Sequence, residues 1–395
     1  MKVLTLSRNY PNDVLPHLGL WVEGSVRASS ALCEQRVVSP VPYAPPLPGL
    51  PDQIARYRRL PPRQERGGIA VHYPRFLAGP GHALHSIEAD AYYWSIRHRI
   101  DQLRRAYPFD LIHAHFVYPD GVAAARLGQR YGVPVLLTEH ALWQPWMDDY
   151  PRVRRQARWA VRHCTFQLAA STALRDSIAQ VTGLPEKIRL VPIGMDPALF
   201  TPLPDPAQRQ RDQILFVGRI QPVKGVDVLI EALRLLVDRR PTARLVLVGG
   251  GLYHEGTPYM KEIRALIRRL GLGAALTFAG RKTPCEVAAF MRESAVVVSP
   301  SRRESFGTVL VEALSSGVPV VATRCGGPED IVTDGLGRLV PPEDPAALAA
   351  ALEDVLAHLD RYDPEHLAAH ARRTYSWDRV ARETVALYEE ALRRR

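Results

Sequence analysis

Two glutamates eight positions apart, Glu304 and Glu312, flank a Phe306-Gly307-Thr308 step, and carboxylates so placed could act as a paired acid and nucleophile or as acceptors for sugar hydroxyls. Residues 301–314 read as the end of a strand near Pro300 followed by a helix starting near Phe306 or Gly307. A rise of ~1.5 Å per residue then puts the two backbones roughly 12 Å apart. Retaining glycosidases hold their carboxyl groups about 5 Å apart, so the spacing disfavours an acid–nucleophile pair. It suits two ends of one extended ligand. The unpaired amide hydrogens of the first helical turn make an anion site between them, fit for a diphosphate. Glu304 would then meet sugar hydroxyls and Glu312 a ribose diol.

Two cations stand where they would complete that site. Arg219 follows an apolar run and Gly218, and Lys224 precedes Gly225 and a helical stretch from Val226. Singly, each divides evenly between phosphate binding and ordinary surface charge, because loops after strands carry both. Their joint position favours phosphate. A departing diphosphate builds negative charge that Arg219, Lys224 and the helix amides can neutralise. No Asp-x-Asp pair stands ready to hold a metal–diphosphate complex.

Further candidates lie in the first half. His140 ends an apolar run and could bind a sugar or simply cap its strand by hydrogen bonds. His113 and His115 share one strand face, which would suit a metal, yet a third ligand is not evident. Packing or, for His115, acceptor contact is the expectation. Gly249-Gly250-Gly251 fails the dinucleotide-binding fingerprint because His254 stands at the third required glycine position, leaving a tight turn near the donor.

Elements of alternating type must position these residues. Apolar runs at 3–6, 37–41, 111–115, 135–138, 166–169 and 189–191 alternate with helical stretches, and a second set follows at 214–217, 244–248, 276–279, 296–299, 318–322 and 338–340. That is the pattern of parallel sheets covered by helices on both faces, here two Rossmann-like units with the ligand expected in the cleft between them. The Pro- and Arg-rich stretch 42–68 reads as irregular, and residues 201–212 read as a linker. The final stretch from Trp377 keeps helical spacing.

Around these motifs the chain resembles family 4 of the retaining glycosyltransferases, whose signature is two glutamates eight residues apart around a Phe-Gly step. Phe216-Val217-Gly218-Arg219-Ile220 with Lys224-Gly225 resembles the family's phosphate-binding arginine and lysine, and residues 190–196 with Phe200 resemble its domain junction. Residues 110–115 resemble its amino-domain strand, and Trp377 the start of its closing helix. Thr138-Glu139-His140 resembles its strand-end histidine facing the donor sugar. Gly19 resembles its first-loop glycine near the diphosphate, although Leu20 stands where a second glycine is common, and Ile193 replaces a common asparagine.

The resemblance implies an α/β GT-B fold: two Rossmann-like doubly wound parallel-sheet domains, a central cleft and a returning C-terminal helix. The expected divisions are an acceptor-binding domain at 1–200, the linker, a nucleotide-sugar-binding domain at 213–375, and a helix at 376–395 packing back on the first. The implied reaction moves a hexose-type sugar from a nucleoside diphosphate to a carbohydrate or lipid-linked hydroxyl with retention, without metal or further cofactor. Its proposed catalytic residues are Glu304, His140, Arg219 and Lys224. Gly19, Gly218, Phe306, Gly307, Thr308 and Glu312 join them at the donor, and His115 and Trp143 are acceptor candidates. A phosphorylase or epimerase of the same architecture, or a non-catalytic nucleotide-sugar binder, stays open.

Bulk properties fit that class. The net charge of +10 is carried by dispersed arginines without interleaved aromatics, which argues against nucleic acid. Four separate cysteines, no long apolar run and no signal-peptide core point to a cytoplasmic protein. Residues 151–164 form a basic amphipathic stretch that either packs on the core or lies on the anionic inner face of a membrane, with Trp143, Trp146 and Trp159 nearby.

Overall fold

The computed structural model describes residues 1–45, 52–77, 85–143, 147–205, 208–250 and 257–394. It resolves into two compact units, one of Met1–Gly194 with Trp377–Arg395 and one of Met195–Ser376.

In the first unit an eight-stranded sheet runs β10-β9-β8-β7-β1-β2-β5-β4. Its strands are β1 (Lys2–Leu6), β2 (Glu34–Val38), β4 (Arg63–Arg66), β5 (Ile69–His72), β7 (Leu111–His115), β8 (Val135–Glu139), β9 (Phe166–Ala169) and β10 (Ile188–Leu190). Only β4 runs antiparallel. Short strands β3 (Val41–Pro42) and β6 (Arg75–Phe76) pair separately. Every residue of β7 is buried, as a strand covered on both faces requires. The helix Trp377–Arg393 closes this unit, adding Val380, Val385, Tyr388 and Ala391 to a core with Val3, Leu111, Leu136 and Phe166.

The second unit holds β11 (Gln210–Val217), β12 (Arg244–Val248), β13 (Leu276–Gly280), β14 (Ser294–Ser299), β15 (Val320–Thr323) and β16 (Gly337–Val340), all parallel, in the order β13-β12-β11-β14-β15-β16. Renumbered within the unit this is 3-2-1-4-5-6, the doubly wound order whose switch point lies between the first and fourth strands. Ligands of such sheets bind beyond the carboxyl ends of those strands, here β11 and β14.

Three expectations are corrected. Residues 42–68 are not irregular where described, for they hold the helix Asp52–Arg56 and strand β4, while 46–51 lie outside the described residues. Gly67 and Gly68, with φ of 56° and 78°, make the two-residue turn that joins β4 to β5. The strand expected over 37–41 ends at Val38, where Ser39-Pro40 interrupts the ladder. The linker read as far as 212 overlaps β11, which begins at Gln210; residues 206–207 lie outside the described set.

Candidate active site

At the switch point of the second unit, the loop after β11 carries Gly218, Arg219 and Lys224, and the loop after β14 carries Glu304 and Gly307. Gly225 lets these loops meet. Its φ is 63°, and a Cβ there would stand 2.0 Å from the Pro300 carbonyl oxygen. Gly225→Ala is therefore expected to destabilise the protein, by about 1–2 kcal/mol from the left-handed backbone alone and more from the clash. A circular dichroism melt should show Tm falling by several degrees.

Lys224 forms an ion pair with Glu304, both side chains largely shielded at 19% and 14% exposure. Glu304 is also fixed through its backbone, donating N–H to Cys325 O at 3.1 Å and accepting from Gly327 N at 2.8 Å. Arg219 is exposed, and no described residue forms an ion pair with it. The helix Thr308–Ser315 follows, with Gly307 as its N-cap at φ 108°. Its start agrees with the sequence expectation to within a residue.

Glu312 lies on this helix among buried Leu310, Val311, Ala313 and Leu314. Burial pushes its carboxyl up to about 8. No described residue hydrogen-bonds or ion-pairs with that carboxyl, while the Glu312 carbonyl accepts from Ser316 Oγ at 2.9 Å. Phe306 departs from its expected donor-binding part: its side chain is 2% exposed and packs edge-on against Tyr375, so only its backbone is available to a ligand.

Sequence reasoning missed Arg302, Asp227, Glu343 and Tyr259. Arg302 clasps Asp227 through two bonds of 2.9 and 2.7 Å, and Tyr259 donates its hydroxyl to the same carboxylate at 2.7 Å. Although partial burial pushes the other way, these contacts hold the Asp227 carboxyl below its usual range. Gly250 accepts from Ile220 N at 3.0 Å, so the glycine turn after β12 braces the Arg219 loop; Gly251 and His254 lie outside the described residues.

The first unit has its own switch point between β1 and β7. Gly19 caps the helix Leu20–Ser30 with φ 72°. His140, at the end of β8, accepts or donates at 3.0 Å between its Nε2 and His115 Nδ1, the rings stacked at 10°. His113 is held by Tyr388 Oη at 2.6 Å and Thr138 Oγ1 at 2.7 Å, which accounts for it as a packed core histidine. Burial lowers His113 and His140 to about 3 and takes His115 well below its ordinary value, so all three are neutral near pH 7. Glu139, pushed up by burial, accepts backbone N–H from Val117, His140 and Ala141 at 3.0, 2.8 and 3.1 Å and so fixes the turn beneath His140.

The acceptor candidates are placed less openly than expected. His115 is 1% exposed, in the wall of a cavity of about 20 Å³ shared with Trp21, His140, Ile193 and Trp377, room for about one water. Trp143 is fully buried, which runs against the acceptor contact expected of it, and Trp146 lies outside the described residues. The apolar stripe of helix Pro151–His163, with Val153, Ala157, Ala160 and Val161, is buried in the unit. That face is therefore unavailable to a membrane, while Arg155, Arg158 and Arg162 stay exposed. No helix among the described residues is long and apolar enough to cross one.

Comparison with known proteins bears on both units. Residues 205–374 match the model described as glycosyl transferases group 1, and residues 37–199 that described as glycosyltransferase family 4. A D-inositol 3-phosphate glycosyltransferase of Acidothermus cellulolyticus is 32% identical over 86% of this chain and 81% of its own. One from Jonesia denitrificans is 33% identical over 74% of each. Among solved structures, a sucrose-phosphate synthase of Thermosynechococcus elongatus superposes with TM-score 0.80 at 21% identity over the full length of both chains. Anabaena HepE in complex with UDP gives 0.77 at 22% identity, covering 99% of this chain and 100% of that one.

Proposed function

The chain belongs to glycosyltransferase family 4, and from that premise we propose that it moves a hexose-type sugar from a nucleoside diphosphate to a carbohydrate or lipid-linked hydroxyl with retention and without metal. It is a glycosyltransferase of GT-B fold that uses a nucleotide sugar. The observation that carries the finer reading is the Lys224–Glu304 pair at the β11/β14 switch point, beside the amino end of the helix bearing Glu312, whose desolvated carboxyl has no partner among the described residues.

In the proposed reaction the diphosphate lies against Arg219, Lys224 and the amides following Gly307, with Gly218 in the same loop and Thr308 in the first turn. Glu304 receives sugar hydroxyls and Glu312 the ribose diol. The acceptor hydroxyl attacks from the leaving-group face, the bond from sugar to diphosphate breaks, and the acceptor's proton passes to the departing phosphate oxygen. His140, neutral and oriented by His115, is the proposed hydrogen-bond partner of the sugar, and Gly19 the proposed first-loop glycine for the diphosphate. UDP is the first nucleotide to test because HepE is solved with it, and D-inositol 3-phosphate belongs in the acceptor panel because relatives are named for it. The exposed arginines of Pro151–His163 support contact with an anionic membrane face.

Purified protein given UDP-, GDP- and ADP-hexoses with an acceptor panel should release nucleoside diphosphate only when an acceptor is present. Glu304→Ala should abolish most of this release. A folded Glu304→Ala protein with full activity would sink the site assignment. Chelator should leave the rate unchanged, and product anomers read by NMR should match the donor's.

A further inference from the structure

We propose that Arg302 is a positioning residue for the donor site, fastening the loop that carries Lys224 to the loop that carries Glu304. The proposal rests on the reading that those two residues serve the donor.

All five N–H donors of the Arg302 guanidinium are engaged within the protein. Nε and one Nη2 hydrogen go to Glu343, the latter at 3.2 Å; the two Nη groups reach Asp227 at 2.9 and 2.7 Å; and Nη1 also donates to Pro222 O. The Arg302 backbone N–H adds a bond to Val223 O at 2.9 Å. Five donors are all that an arginine has, so none is left for a ligand. What the side chain does instead is join three segments that are distant in sequence. These are the turn at 222–225 after β11 with the first residues of the helix Val226–Arg239, the loop after β14, and Glu343 after β16.

The placement makes the joint consequential. Lys224 stands two residues from Arg302's partner Pro222 and next to its partner Val223, and Glu304 stands two residues beyond Arg302 itself. Asp227 is tied to helix Pro258–Arg269 by Tyr259, at 2.7 Å, so the clasp is anchored from behind. Glu343 holds a left-handed backbone at φ 60°, rare for a residue with a side chain, where its carboxylate meets Arg302. The Arg302 and Asp227 side chains are 26% and 33% exposed, shielded enough for a bidentate pair to hold a geometry. A lysine there could keep the charge but not the fork. A misplacement of about 1 Å at a reacting centre can cost ~100-fold in rate, which sets the scale of what the joint protects.

The test is calorimetric titration with UDP, with GDP and ADP in parallel, on wild type, Lys224→Ala, Arg302→Gln, Arg302→Lys and Arg302→Ala, each checked by circular dichroism melting. Turnover is followed by nucleoside diphosphate release. Arg302→Gln and Arg302→Lys should both lose nucleotide affinity and ~10–100-fold in turnover. Combining Arg302→Gln with Asp227→Asn should cost no more than the worse single change, as members of one unit do. Added ethylguanidinium should restore part of the affinity of Arg302→Ala, a recovery that a general loss of stability would not show. Wild-type affinity and turnover in folded Arg302→Gln, with Lys224→Ala impaired, would overturn the proposal alone. Wild-type nucleotide affinity in Lys224→Ala would instead remove the donor-site reading on which it rests.

Discussion

Lys224→Ala is expected to lower kcat/KM for sugar transfer by ~10²–10³-fold, the loss typical of removing one preorganised partner of a developing negative charge. The ammonium is held by Glu304 in a largely shielded setting, so it meets the diphosphate without first having to be ordered. Removing it takes away that partner and leaves the Glu304 carboxylate uncompensated where phosphate charge accumulates. The steady-state rate of nucleoside diphosphate release measures the loss. Lys224→Arg should recover part of it. Adding Glu304→Gln to Lys224→Ala should restore some nucleotide affinity but little turnover, because repulsion is relieved while the sugar contact stays absent.

Glu312→Gln should make the protein more stable and its nucleotide binding weaker. The Glu312 carboxyl is raised to about 8 in the folded chain, against an ordinary value of 4.5. Unfolded chains therefore lose this proton from about pH 4.5 upward while the folded protein keeps it to about pH 8. Across that window the unfolded state binds fewer protons, so stability falls as pH rises, and the full cost stands above pH 8. Each pKa unit is worth about 1.4 kcal/mol, and residual solvation discounts the sum to roughly 2–4 kcal/mol. At ~2–4 °C per kcal/mol for a unit of this size, Tm of Glu312→Gln at pH 9 should exceed wild type by roughly 4–16 °C. The difference should shrink towards pH 5. Hydroxyls of a ribose favour the ionised carboxylate, so donor binding to wild type at pH 7 should release a proton. Calorimetry in two buffers of different ionisation enthalpy would read it, and the glutamine variant should release none from this site.

Much of this architecture is legible from pattern alone, because buried parallel strands such as β7 and β12 are short apolar runs closed by loops. The donor residues are legible for a related reason. Arg219, Lys224, Glu304 and Glu312 lie close in sequence to the strand ends that position them, so local order encodes their placement. The β4–β5 hairpin was not visible because β4 reads Arg-Gln-Glu-Arg, a polar edge strand with no apolar alternation. Its one signal was the Gly67-Gly68 pair. Arg302 and Asp227 are 75 positions apart, and nothing near either residue announces the other. Trp143 misled because a tryptophan beside a candidate binding strand suits a sugar surface and a core equally well, and only packing decides.

The division of the chain has a consequence for how the protein is made. Residues Met195–Ser376 form one uninterrupted unit, whereas the other needs Trp377 onward to fill its core around Val3 and Leu111. On a ribosome, the later-made unit is thus complete in sequence before the earlier one. Until the closing helix emerges, Leu136, Phe166 and Leu168 lack the covering supplied by Val380 and Tyr388. The entry and exit of the inserted unit sit side by side, with Met195 N–H bonded to Tyr375 O at 2.8 Å. Once folded, that unit delivers the last helix beside the strands it must cover, sparing the chain most of the search across the intervening sequence.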